Sequence, residues 1–167
     1  MSLESFYRKE SVFYSFHYDN DVMRVQQVRQ IGVLDDTEPV TANKWETVWR
    51  GGDAAVKRWI DANMVNKRCV IVLIGSQTAE RPLVKYEIKK AWDDRKGLFG
   101  IHIHNLTCPN TGTCRKGPSP FDGFTVGTTP LSQLVRVYDP SQMYAYSEIQ
   151  ANLTAWVGTA IEEAKRR

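Results

Sequence analysis

Six apolar residues, Cys69-Val70-Ile71-Val72-Leu73-Ile74, run without a polar interruption into Gly75-Ser76, and no other feature of the chain constrains its fold as strongly. A strand with one wet face alternates polar and apolar side chains, so an unbroken apolar run demands cover on both faces. That is the situation of a central parallel strand in an α/β sheet. Open α/β sheets bind ligands outside the carboxyl ends of their strands. Ser76, Gln77, Thr78 and the first turns of the next helix, with Glu87 among them, therefore lie where a small molecule is expected.

The remaining pattern supplies the partners of this strand. Residues 11–16 (SVFYSF) are rich in aromatic and β-preferring types and stop at His17-Tyr18-Asp19-Asn20-Asp21, which predicts a strand and then a loop. Val22, Val25, Val28 and Ile31 recur at helical spacing, Asp19 to Asp21 offer N-cap oxygens and Gly32 is a natural stop. From Val33 to Gly52 no period persists, and a short second strand is expected somewhere within this connection. Residues 53–65 form an amphipathic helix with Ala55, Val56, Trp59, Ile60 and Met64 on one face. Pro82 suits the first turn of the next helix, whose stripe is Val84, Ile88, Ala91 and Trp92, and Gly97 closes it. A strand over 98–103, a Gly-, Pro-, Ser- and Thr-rich surface excursion over 105–129, a last strand at 135–138 and a terminal helix from about Ser147 complete the order. The sum is one α/β domain over 1–167, a flavodoxin-like three-layer sandwich around a central, mostly parallel sheet of four or five strands. Residues 1–10 are expected to be a flexible or tag-derived N-terminus.

Composition removes several classes. A net charge of +3, with basic residues scattered apart from the Lys165-Arg166-Arg167 tail, argues against nucleic acid as a partner. No apolar run approaches the roughly 18 residues of a membrane span, and the amino terminus lacks a secretory pattern. Three cysteines, one inside the buried strand, fit a reducing compartment better than a disulfide framework. A cytoplasmic protein with no membrane partner is expected.

Two constellations carry chemistry. With Val84 at the centre of the core stripe, Glu87 falls about 60° to one side of it, on the flank and half buried at best. It is either a surface carboxylate helped by the helix dipole or a carboxylate facing the pocket. Tyr86 points about 100° away from it, so both cannot enter one pocket fully. The second constellation is His102-x-His104 with Cys108 and Cys114. Five residues separate the cysteines, whereas structural zinc sites pair them across about two to four, so no metal is expected. Neither GxGxxG nor GxxxxGK[ST] occurs, which removes a dinucleotide fingerprint and a P-loop. A phosphoacceptor domain needs an Asp at a central strand end, where this chain has His17 and Ser76.

Taken together, VFYSFHYDND at 12–21, TANKWETVWRGGDAAVKRWID at 41–61, CVIVLIGSQTA at 69–79, VKYEIKKAW at 84–92 and GIHIHNL at 100–106 resemble the TIR superfamily. The resemblance is closest to its bacterial Thoeris-type TIR-like members and covers nearly the whole chain. It implies a flavodoxin-like fold and an NAD glycohydrolase or ADP-ribosyl cyclase-like enzyme. Such an enzyme cleaves the nicotinamide glycosidic bond of NAD, a substrate rather than a cofactor, to form an ADP-ribose-derived messenger. In Thoeris systems the messenger activates a downstream effector during phage infection, and sites in the superfamily are often completed by homo-oligomerisation. The family's catalytic glutamate falls on Glu87. Phe16 and His17 match the site edge, Phe16 as a stacking surface and His17 as a hydrogen-bond donor. Trp45 and Trp49 either staple their loop to the core or wall the cleft. From its place at the strand end, Ser76 either donates to ribose or phosphate or serves as an ordinary turn serine, and Tyr86 is a secondary candidate. The Trp-Cys pair found before the glutamate in many relatives is Leu83-Val84 here. The competing expectation is a non-catalytic interaction module in signal transduction, since TIR folds also assemble through helices and loops.

Overall fold

The computed structural model describes residues 8–36 and 47–167. Five strands form one all-parallel sheet: β1 (Ser11–Ser15), β2 (Asp35–Asp36), β3 (Cys69–Ile74), β4 (Gly97–His102) and β7 (Val137–Tyr138), in the order β2-β1-β3-β4-β7. A separate antiparallel hairpin pairs β5 (Thr125–Val126) with β6 (Thr129–Pro130). Among the described residues four long helices cover the sheet: α1 (Tyr18–Arg29), α2 (Asp53–Met64), α3 (Pro82–Asp93) and α4 (Ala145–Lys165). The α/β flavodoxin-like sandwich is thus borne out, with the strand order in which a switch point lies between β1 and β3.

All six residues of β3 are fully buried, as an apolar run covered on both faces requires. Alternation along the strands sorts the core into two layers. Val12, Cys69, Ile71, Leu73, Phe99 and Ile101 meet α1 and α4, whereas Phe13, Val70, Val72, Ile74 and Leu98 meet α2 and α3. Helix α4 passes close over Gly97, where a Cβ would lie 3.0 Å from the Ile161 backbone nitrogen and 3.1 Å from Cys69 Sγ. Burial pushes the Cys69 thiol far up, so this cysteine packs as a small hydrophobe.

Three local expectations change, and the expected short second strand is found. Helix α1 begins at Tyr18, so Asp19 to Asp21 lie inside its first turn instead of capping it, and His17 holds the cap position without a side-chain cap bond. The second strand is only the pair Asp35-Asp36, held by β1, which is why no period announced it. The last strand is likewise two residues long, not four. The segment 105–129 is not simply a surface excursion: Phe121 is fully buried against the α2–α3 layer, and Leu106 is buried against the other.

Candidate active site

Strand parity builds the centre of the site. Ser15 ends β1 on the same face as Phe13, the face turned toward α3, and is fully buried. Opposite it, α3 presents Val84, Glu87, Ile88 and Ala91 inward. The Ser15 hydroxyl donates to Glu87 Oε2 across this layer. Glu87 is therefore not half buried on a flank, as its angle on an ideal helix implied; it is 8% exposed. A small serine at the strand end leaves room for the longer side chain and supplies its hydrogen bond, and this draws the carboxyl into the layer. Burial pushes the Glu87 carboxyl up to about 8, with the serine bond pulling the other way.

Glu87 lies against a cleft of about 990 Å³, at the upper end of the roughly 300–1,000 Å³ typical of small-molecule sites. Phe16, His17, Trp49 and Tyr86 line the same cleft as the glutamate. Trp49, 55% exposed, walls the opening and is not buried against the core. Trp45 lies outside the described residues. Ser76 is not brought into the cleft: its carbonyl packs against Gly117, where a Cβ would approach to 2.9 Å. Tyr86 reaches the cleft with its ring while its hydroxyl donates to Asp61 Oδ1 at 2.7 Å, so its hydrogen bond is already used within the protein.

Sequence reasoning missed the charge around the cleft. Lys57 lines it from α2, Arg81 from just before α3, Lys85 and Lys89 from α3 and Arg29 from α1, outnumbering the lining acids Asp19 and Asp53, with Lys57 Nζ 5.3 Å from the Tyr86 ring centre. These cations favour an anionic ligand next to a carboxyl that is largely neutral at pH 7. The signal was available as basic residues on the amphipathic helices, where a solvated face explains them equally well. His17 is 6% exposed, and both burial and the nearby Arg81 hold its imidazole below the usual histidine range, while Asp21 and Asp19 pull it back up. A neutral ring with an unbonded Nδ1 remains, able to give or take one hydrogen bond.

The His102 and His104 pair is a separate feature. Both are buried, their ring centres 5.7 Å apart, and their Nδ1 atoms lack partners. Cys114 donates its backbone N–H to the His104 carbonyl, so the cysteine loop is tied in through the main chain. Among the described residues no group of three or more His, Cys, Asp and Glu is able to hold a metal. Burial holds both imidazoles below the usual range; Asp139 pulls them up and Lys116 pushes them down, with Arg24 adding to the downward push on His104. Because the unfolded chain binds these protons more readily, stability is expected to fall as pH drops below about 6.5. Melts of His102→Asn/His104→Asn against the parent from pH 7.5 to 5 check this. The parent should lose more on acidification, and parallel curves would refute it.

Residues 13–108 match the family described as Thoeris protein ThsB, TIR-like domain. A Bacillus cereus (strain MSX-D12) protein named "Putative cyclic ADP-D-ribose synthase ThsB1" is 37% identical over 116 residues, 66% of this chain and 60% of that protein.

Proposed function

This chain belongs to the Thoeris ThsB TIR-like domain family, and from that premise we propose that it cleaves the bond between nicotinamide and ribose in NAD and releases an ADP-ribose-derived messenger. The observation that carries the reading is Glu87, a buried carboxyl bordering a dinucleotide-sized cleft whose rim is cationic. Lys57, Arg81, Lys85 and Lys89 suit the diphosphate, and Phe16 and Trp49 offer ring faces to nicotinamide or adenine.

The physical chemistry gives Glu87 a defined task. The nicotinamide ring of NAD is cationic, and breaking its glycosidic bond sends the electron pair to the ring nitrogen, so neutral nicotinamide departs and positive charge develops on the ribose. A carboxylate beside that carbon stabilises the charge, as in glycoside cleavage. In the free protein Glu87 holds its proton up to about pH 8. A bound pyridinium favours the carboxylate and lowers that value, so the substrate itself helps ionise the group. A nucleophile, either water or an atom of the ADP-ribose moiety, then adds to the ribose carbon, giving a linear or cyclised product.

Mass spectrometry of NAD incubated with concentrated protein, alone and in lysate from phage-challenged cells, tests this. Nicotinamide together with an ADP-ribose-type product is the expected result. Unchanged NAD in both conditions would turn the reading to a non-catalytic interaction module. The downstream effector, homo-oligomerisation and cytoplasmic location belong to the same proposal. None of the described helices is long and apolar enough to cross a membrane.

A further inference from the structure

We infer that Ser15 is the positioning residue of the site: its hydroxyl engages Oε2 of Glu87 from the end of β1 and leaves Oε1 as the oxygen available to the cleft. The inference rests on the role proposed for Glu87, and it names a residue from a different element that sets how that carboxyl is held.

Position argues for it first. Ser15 is the last residue of β1 and pairs in register with Val72 of β3. Its neighbours on that face of the sheet, Phe13, Val70, Val72 and Ile74, are apolar and essentially dry. A fully buried hydroxyl in such a layer costs stability unless it is bonded, and here the hydrogen bond is to Glu87. Valine would satisfy the layer better, so packing does not explain the serine. The cleft explains it, because Glu87 borders the cleft and needs something to hold it there.

Chemistry argues for it next. A hydroxyl that donates to Oε2 favours the carboxylate over the acid. When the carboxyl is protonated, the same bond places the proton on the other oxygen, since Oε2 is already accepting. Among the described residues Oε1 accepts no hydrogen bond, and it is not one of the buried atoms left without a partner. Ser15 thus selects which oxygen meets the substrate and eases ionisation against the effect of burial. It touches the substrate only through Glu87.

The test reads Glu87 directly and needs no turnover. In protein carrying carboxyl-¹³C glutamate, the Glu87 signal is assigned by its loss in Glu87→Gln and titrated from pH 5 to 10. In Ser15→Ala the midpoint should rise by half a unit or more, a fall of about threefold in the carboxylate-to-acid ratio at a fixed pH. Ser15→Thr, which keeps the donor, should restore the parent midpoint. If the alanine variant does not fold, Ser15→Cys takes its place, being close in volume with a weak donor, and its midpoint should rise as well. An unchanged midpoint in the folded alanine or cysteine variant would overturn the inference. Where NAD is cleaved, the pH limb of kcat/KM should move with the midpoint in the same variant. A titration that moves while NAD stays intact sinks the NAD reading alone, and a fixed titration with intact catalysis sinks the role of Ser15 alone.

Discussion

Glu87→Gln should lower NAD turnover by at least about 1,000-fold and, at pH 9, melt at a higher temperature than the parent. The swap preserves shape and lets the amide oxygen accept the Ser15 hydroxyl, so the layer between β1 and α3 stays packed. What disappears is the negative charge that the developing ribose cation requires. The stability gain follows from the same burial. The folded carboxyl titrates near 8 against 4.5 for an ordinary glutamate, so between those values the folded chain binds the extra proton and rising pH works against folding. At about 1.4 kcal/mol per unit, the full penalty above pH 8 is on the order of 5 kcal/mol, or roughly 10–20 °C for a chain of this size. Glutamine does not titrate, so the gap in Tm between variant and parent should be small near pH 5 and widen toward pH 9. In the parent, kcat/KM should rise with a limb near pH 8, the free-protein value, while kcat should level off at lower pH because bound pyridinium favours the carboxylate. Undiminished turnover in the variant would refute the catalytic role, and a Tm gap independent of pH would refute the buried ionisation.

The architecture was legible in the sequence because long apolar periods state their own burial. The unbroken run Cys69 to Ile74 announced a strand covered on both sides, and Val56, Ile60 and Met64 announced the face of α2. Short strands do not declare themselves this way. Asp35-Asp36 is a strand only because β1 lies beside it, and nothing in two aspartates encodes that. At the site, the family resemblance located Glu87, but helix geometry alone misjudged its burial, because burial depended on a serine 72 positions away. The clue was a second serine, Ser15, at the inward end of β1 beside the apolar Val12 and Phe13. The cationic rim was hidden for the opposite reason, since Lys57 and Lys85 on helix surfaces look the same whether they face water or a ligand. Ser76 shows the limit of reasoning from strand ends: it sits at the end of β3, yet the returning chain at Gly117 covers its carbonyl.

Arg24→Met should cost about 3–5 kcal/mol, a fall in Tm of roughly 10 °C, although Arg24 does not line the cleft beside Glu87. The guanidinium is 3% exposed and acts as a three-way clamp: Nε donates to the Leu106 carbonyl at 3.0 Å, Nη2 to the Gly112 carbonyl at 2.8 Å and Nη1 to Asp21 Oδ1 at 3.3 Å. Methionine keeps much of the apolar stem but leaves two carbonyls without their donor and a 1% exposed carboxylate without its counter-charge. Burial already raises the Asp21 carboxyl and Arg24 holds it down, so the variant should bind a proton there on folding and lose further stability as pH rises. Relief by movement is blocked, because Asp21 Oδ2 lies against Gly75, where a Cβ would sit only 2.1 Å away. Removing the charge as well separates the two costs. Asp21→Asn/Arg24→Met should recover the part due to the unpaired carboxylate and still show faster proteolysis over residues 107–116, where the clamp and the Gln27 bond to the Thr107 carbonyl tie the loop to α1. A single variant that melts within 2 °C of the parent, a change of under about 1 kcal/mol, would mean that the clamp is not closed in solution. If it is closed, the same bonds anchor the chain segment whose Gly117 packs on the carbonyls of Gly75 and Ser76. The shape of the turn at the end of β3 then depends on an ion pair in α1.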